Sequence, residues 1–312
     1  MTNLTDNIPQ YLKQKRKLSE KSKNTYTFVL TMFLSRVNDK DIGDLTHEDL
    51  SDFIDFMEDQ NCAKTTINLA MSACLGFFRW AAFERLWKGS IADIEYIATE
   101  KKPPIIMAAP DYDHEVIADL VEWSANYTQC KTVIEKRDAF MVLAASSSGA
   151  RLGKELCGLT RGHVDWQHGR ALVIGKGNKE GKLRFSDIAL AAGRSYLQAR
   201  AEMDGKSGQS LASLPLFARH HSNITKPLDY AGAYKSLKKR VFELFGEQKS
   251  QAFHPHLLRH EFVTDVLVRT GNLKLAQELA RHVNIQTTQR YAHLSEEDLD
   301  REYRKIFNRT LV

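Results

Sequence analysis

Apolar residues recur at helical spacing along the first third of the chain. Tyr26, Val29, Leu30, Phe33, Leu34 and Val37 fall on one stripe, which predicts an amphipathic helix over residues 22–37. Thr46, His47, Glu48 and Asp49 resemble a capping box ahead of Leu50, Phe53, Ile54 and Met57. A third apolar helix opens at Thr65 or Thr66 and runs through Leu69, Ala73, Leu75, Phe77, Phe78 and Trp80. Short polar connectors separate these helices, so a small helical bundle is expected. The pattern breaks at Glu100-Lys101-Lys102-Pro103-Pro104, and Pro110 adds a second breaker. The expected organisation is a domain over residues 1–102, a linker over 103–110 and a larger domain over 111–312.

The larger domain has a mixed texture. Helical patterns cover residues 115–127, 136–146, 188–203, 230–245, 256–270, 273–281 and 296–307. Between them, Ala171-Leu172-Val173-Ile174 is a β-like run. It leads into the turn-rich Gly175-Lys176-Gly177-Asn178-Lys179-Glu180-Gly181, and Leu183-Arg184-Phe185 returns. The predicted fold class is mainly α with a small β-hairpin, in two domains.

Charge adds to this picture through its distribution. The net charge is only +5, but residues 151–250 carry 18 Lys and Arg against 9 Asp and Glu. Residues 1–150 carry 17 against 22. A local basic excess suits a polyphosphate partner, although a lysine-rich solvated surface would look the same. The four cysteines, Cys62, Cys74, Cys130 and Cys157, form no CxxC pair and no zinc spacing with histidine. They read as reduced thiols. The N-terminus has no basic-then-apolar signal pattern, and no apolar run approaches the ~20 residues of a membrane span. A soluble cytoplasmic protein without a membrane partner is expected. No carboxylate cluster accompanies the histidines, which disfavours a metal nuclease, so no metal and no cofactor are expected.

Four stretches could carry chemistry. His256 and Arg259 share a helix face, and a proton donor beside a fixed cation suits a phosphate oxygen that gains charge. A helix start with surface histidines is the plainer reading. Arg151 follows a Gly-containing turn at a helix start and can aim a planar fork at phosphate, or simply pair with Glu155. Lys176 sits between glycines in an open loop, where it could donate a proton or do nothing. Tyr291 follows His282 by nine residues and closes a hydroxyl-rich helix start at Thr287-Thr288. With a pKa near ~10, a tyrosine needs cations or a base nearby to act as a nucleophile.

The order of these residues is more restrictive than any one of them. Val173-Ile174-Gly175-Lys176-Gly177-Asn178-Lys179-Glu180, His256-Leu257-Leu258-Arg259-His260 and Thr287-Thr288-Gln289-Arg290-Tyr291-Ala292-His293 resemble the hairpin, histidine–arginine box and nucleophile segment of the tyrosine recombinase (phage integrase) family, its compact Xer-like and integrase-like members in particular. The resemblance covers nearly the whole chain, because the N-terminal helices look like the family's SAM-like core-DNA-binding bundle. It implies a site-specific recombinase that joins Tyr291 to a 3′-phosphate and releases a 5′-hydroxyl. Arg151, Arg259 and His256 would stabilise the phosphate. Lys176 would protonate the leaving oxygen, and His282 would support the phosphate or orient Tyr291. Its partners would be double-stranded DNA with a specific core site and a homotetramer on synapsed DNA. Lys64, Thr65, Thr66, Asn68 and Arg79 are candidate DNA contacts in the first domain, and Lys179, Lys235, Lys238, Lys239 and Arg240 in the second. His254, His260 and His293 read as structural, and Tyr303 lacks the spacing from His282. The early start of the core-binding helices leaves no room for an arm-binding domain and suggests simple-site recombination.

Two departures from the family stand out. The step from Arg151 to Glu155 is four residues where the family has three, and one residue turns an α-helix by about 100°. The insertion is expected to be absorbed in the turn or in a bulge. Arg281 also stands where the family has Gly before its second histidine. A non-cleaving DNA-binding member of the fold and a type IB topoisomerase-like relaxing enzyme remain as alternatives.

Overall fold

The computed structural model describes residues 6–37, 40–103, 112–174, 180–220, 223–282 and 284–291. The fold is mostly helical with small antiparallel sheets. The chain forms two compact units, Met1–Met107 and Ala108–Val312.

The first unit holds α1 (Asn7–Gln14), α2 (Glu20–Arg36), α3 (His47–Asp59), α4 (Lys64–Phe83) and α5 (Ile91–Glu100). Ser19 starts α2 by accepting a hydrogen bond from the Ser22 amide. The Thr46–Asp49 capping box starts α3 as its residues predict. The apolar stripes meet in an aromatic core. Phe33 lies 5.3 Å from Phe53 and 6.0 Å from Phe78 between ring centroids, and Tyr11 of α1 packs on Phe77 at 5.7 Å. The short helices α1 and α5 go beyond the sequence reading. They bury only Ile8, Tyr11 and Leu12, and Ile94 and Ala98, too few positions for a clear period.

The second unit contains α6 (His114–Ala125), α7 (Val133–Ser148), a π-turn at Leu152–Leu156, β1 (Val164–Asp165), β2 (Arg170–Ile174) and β3 (Glu180–Arg184). It continues through α8 (Asp187–Ala199), α9 (Ala201–Gly205), β4 (Ala218–Arg219), β5 (Asn223–Pro227), α10 (Tyr230–Phe245), α11 (Glu247–Ala252), α12 (His256–Thr270), α13 (Leu273–Ala280) and α14 (Gln286–Gln289). Strands β1, β2 and β3 form an antiparallel sheet with Val173 opposite Gly181, so the expected hairpin gains a third strand. A second pair, β4 and β5, had no clear sequence signal.

Helix α7 is the centre of this unit. Residues Arg137 through Ala145 are all buried, which removes the amphipathic stripe. The helix expected over residues 188–203 is interrupted at Arg200. This side chain is fully buried and donates to Asp204 Oδ1 at 2.9 Å and to the Pro215 and Leu216 carbonyls at 3.1 and 3.2 Å. The hairpin tip with Lys176 and Lys179, residues 104–110 of the linker expected over 103–110, and the expected helix over 296–307 lie outside the described residues, as do His293 and Tyr303.

Candidate active site

Helix α12 starts at His256, directly after Pro255, whose missing N–H costs a helix start nothing. Leu257 and Leu258 are buried and anchor its first turn, which turns Arg259 inward to 2% exposure. The Arg259 guanidinium donates to the carbonyls of Gly149, just past α7, and Ala280, at the end of α13. It thereby ties two helix ends together. Burial pulls it down to about 9, with the nearby Arg151 charge adding, and it still carries its charge at neutral pH.

Arg151 reaches the same place by a different route. Helix α7 ends at Gly149, which takes the left-handed conformation (φ 59°). Any Cβ at Gly149 would meet the Phe262 ring at 2.4 Å. Arg151 follows in extended conformation and opens the π-turn. Here the extra residue is absorbed. The Leu156 and Cys157 amides bond five residues back, to the Arg151 and Leu152 carbonyls at 3.2 and 3.0 Å. The wider turn brings Glu155 back onto Arg151. Its carboxylate accepts the Arg151 amide at 2.9 Å and Nη1 at 2.7 Å. The simple Arg151–Glu155 ion pair therefore exists, but it leaves the Arg151 side chain 40% exposed while that of Glu155 is only 2% exposed.

Arg281 supplies a third guanidinium. It caps α13 in the left-handed conformation (φ 58°), the backbone that glycine adopts most readily, at a cost of about 1 kcal/mol for other residues. Its Nη2 donates to Glu155 Oε2 at 2.9 Å. Burial pushes the Glu155 carboxyl up, but the Arg151 amide and the Arg281 charge outweigh it and hold the group below the usual carboxylate range.

The tyrosine segment is held by two histidines with separate tasks. His282 Nδ1 lies 2.8 Å from the hydroxyl of fully buried Thr288, which pins α14 ahead of Tyr291. The Tyr291 hydroxyl itself meets His260 Nδ1. His260, read from sequence as structural, is the side chain in contact with the Tyr291 hydroxyl. One signal was available: His256 and His260 are four apart on a helix, and their rings lie 4.6 Å apart, edge to face. Glu261, the next residue, accepts from the Tyr112 hydroxyl at 2.8 Å and pairs with His114 at 2.7 Å.

The electrostatics follow from burial beside cations. Desolvation, then the Arg259 and Arg151 charges, pull His256 and His282 down to about 4. Desolvation and the His256 ring pull His260 down to about 3. All three imidazoles are neutral at pH 7. Burial raises the Tyr291 hydroxyl, and Arg290 and Arg259 partly offset this. Arg151, Arg259 and Arg281 against Glu155 leave two net positive charges. An open cleft of about 880 Å³ lies beside them, its wall including Arg151, Lys182, Arg184, Arg281 and His282. This arrangement can bind a phosphodiester and stabilise extra charge on it. Among the described residues, no cluster of His, Cys, Asp or Glu could hold a metal ion.

Residues 112–298 match the phage integrase family model, and residues 4–88 match the model of the phage integrase N-terminal SAM-like domain. The chain belongs to the phage integrase family, the tyrosine recombinases. Tyrosine recombinase XerC of Treponema denticola is 29% identical over 274 residues, covering 85% of each chain. Tyrosine recombinase XerC of Natranaerobius thermophilus is 29% identical over 308 residues, covering 96% of this chain and 97% of the relative. The fold is similar to the XerH site-specific recombinase in a pre-cleavage complex with its difH substrate, with a TM-score of 0.70 at 17% identity over 97% of this chain and 84% of that one. It is also similar to the Tn1549 transposon integrase in complex with circular intermediate DNA, with a TM-score of 0.69 at 15% identity over 97% and 99% of the two chains.

The candidate DNA contacts divide by their partners. Lys64, Thr65 and Thr66 are exposed on the first turn of α4, and Lys235 and Lys239 are exposed on α10, Lys239 beside Glu243 at 3.4 Å. Asn68, Arg79, Lys238 and Arg240 have partners inside their own unit. Arg79 pairs with Glu95 at 2.5 Å, and the Asn68 amide donates to the Pro103 carbonyl at 3.2 Å. Lys238 leans over the Tyr234 ring. Arg240, only 13% exposed, faces Glu135, Asp138 and Glu243 and lies over Trp123. The sequence pattern of these lysines and arginines did not separate outward from inward side chains.

Proposed function

We propose that this recombinase cuts and rejoins double-stranded DNA at a specific core site through a covalent bond to Tyr291. One observation carries the reading. Separate stretches of sequence meet at one place: Arg259 of α12 donates to the Gly149 and Ala280 carbonyls, Arg281 shares Glu155 with Arg151, His282 holds Thr288, and the Tyr291 hydroxyl meets His260 on the helix that carries His256.

Tyr291 Oη attacks the scissile phosphorus, the bond to the 5′ oxygen breaks, and a 3′-phosphotyrosyl bond forms. His260 is held neutral, so its Nδ1 accepts the hydrogen bond of the phenol and is the nearest acceptor for its proton. Arg151, Arg259 and His256 face the non-bridging oxygens. Lys176 protonates the 5′ oxygen. His282 acts through Thr288 to hold the tyrosine segment in register. The 5′-hydroxyl of a partner strand reverses the step, so the bond energy is conserved. Exchange between two duplexes takes four protomers. The first unit grips the core site with Lys64, Thr65 and Thr66, and the second with Lys179, Lys235 and Lys239. The enzyme works on DNA in the cytoplasm.

The test is a pool of nicked duplexes with randomised cores, incubated with the full chain and then with detergent. The reading predicts a protein–DNA adduct that forms in the presence of a chelator, is enriched for one core sequence and is lost in Tyr291→Phe. Binding without any adduct would reduce the chain to a DNA-binding member of the fold. Relaxation of any supercoiled plasmid without core preference would make it a topoisomerase.

A further inference from the structure

Glu155 holds two guanidiniums with one carboxylate. Oε1 takes Arg151 Nη1 at 2.7 Å. Oε2 takes Arg281 Nη2 and the Arg151 amide, each at 2.9 Å. Arg281 is itself braced: Nη1 donates to the Ser148 and Leu279 carbonyls at 3.1 and 2.9 Å, and Nη2 to Gly149 O at 3.3 Å. Its stem passes over β3 at Gly181, where a Cβ would come within 2.9 Å of Arg281 Cδ. The left-handed backbone at Arg281 is unfavourable for a residue with a side chain, so these contacts hold the position.

The division of the carboxylate matters because an isolated Arg–carboxylate pair prefers two parallel bonds, fork to fork. In that pairing Arg151 would turn two donors onto Glu155 and away from any ligand. With Arg281 on Oε2, Arg151 binds through Nη1 alone, and the rest of its fork stays open to the cleft.

We propose that Arg281 is a positioning residue that, by occupying Glu155 Oε2, keeps the Arg151 guanidinium presented to the scissile phosphate. This rests on the reading that Arg151 serves that phosphate. It also gives the π-turn a role: the extra residue sets Glu155 where the two arginines can share it.

Two measurements test the proposal on the full chain. The first is the rate of adduct formation on the nicked-duplex pool. Arg281→Gly should slow it by roughly 10- to 100-fold, as small misplacements of a positioned group do. Its affinity for the same pool should change far less, and Arg281→Lys, which can still occupy Oε2, should recover much of the rate. The second needs no DNA. In nitrogen-15 arginine-labelled protein, with the Arg151 signal assigned through Arg151→Lys, Arg281→Gly should slow the rotation of the Arg151 guanidinium as it locks onto both Glu155 oxygens. Should Arg281→Gly not fold, Arg281→Lys and Arg281→Met carry the same comparison. An unchanged rate in a folded Arg281→Gly, or an Arg151 signal that does not respond, overturns the proposal. If the unsubstituted chain forms no adduct, the cleavage reading fails, and the guanidinium spectrum still decides whether Arg281 governs Arg151.

Discussion

Among the described residues, the N-terminal unit buries no charged side chain, whereas the catalytic unit buries Arg137, Asp138, Glu155, Arg200, Asp204 and Arg259, together with the neutral His282. The first is held by apolar contact, which is non-directional and tolerant of detail. The second depends on hydrogen bonds between buried ions, where each partner fixes the aim of another and losing one leaves a charge stranded. The contrast shows where this protein keeps its chemistry. The N-terminal unit offers a stable exposed face, and the catalytic unit spends its interior on orienting guanidiniums and imidazoles.

The comparison can be broken most forcefully at Arg259. Arg259→Ala removes a charge that the proposed mechanism sets against the phosphate and leaves the Gly149 and Ala280 carbonyls without their donor. Adduct formation should fall on the order of 100- to 1000-fold, and unfolding should become easier by about 2 kcal/mol. A loss of rate with unchanged stability, followed by denaturant titration, would show that the guanidinium has no structural task. In the other unit, Phe77→Ala should cost about 3–5 kcal/mol of stability while leaving the cleavage rate on saturating DNA unchanged. A parallel loss of rate would show that the aromatic core also governs the chemistry.

A smaller effect follows from the histidines. His256, His260 and His282 have folded-state values of about 4, 3 and 4, below the ~6.5 of a free imidazole. The unfolded chain therefore binds more protons over this interval, and stability falls as pH drops from about 6.5 towards 4. The urea midpoint should decline on acidification, with a shallower slope in His260→Gln. A flat profile would contradict the reading of these imidazoles as desolvated. The smallest effect belongs to Lys64→Ala, which should leave the fold intact and reduce the salt dependence of DNA binding by about one counterion. An unchanged salt slope would remove Lys64 from the interface.

The same contrast explains what was legible in the sequence. Helices α2, α3 and α4 could be read because their burial repeats every three to four residues. The His256–Arg259 pair and Tyr291 stood out in the sequence because their spacing is restrictive. The aim of Arg151 could not, because it depends on a π-turn and on Arg281, more than a hundred residues away, meeting at Glu155. Helix α7 hides its direction because it is buried on every side, and Arg200 breaks a helix for bonds to carbonyls that no period announces. His260 was in plain view one turn from His256, but its task appears only when Tyr291 folds back onto it.

The most direct test of the account is the identity of the bond to DNA. Adducts formed on the nicked duplexes should be digested with trypsin and nuclease, and the modified peptide sequenced by mass spectrometry. The account predicts a nucleotide joined through its 3′-phosphate to the peptide that begins at Tyr291. A nucleotide on Tyr303 or any other side chain, or one joined through a 5′-phosphate, would contradict it.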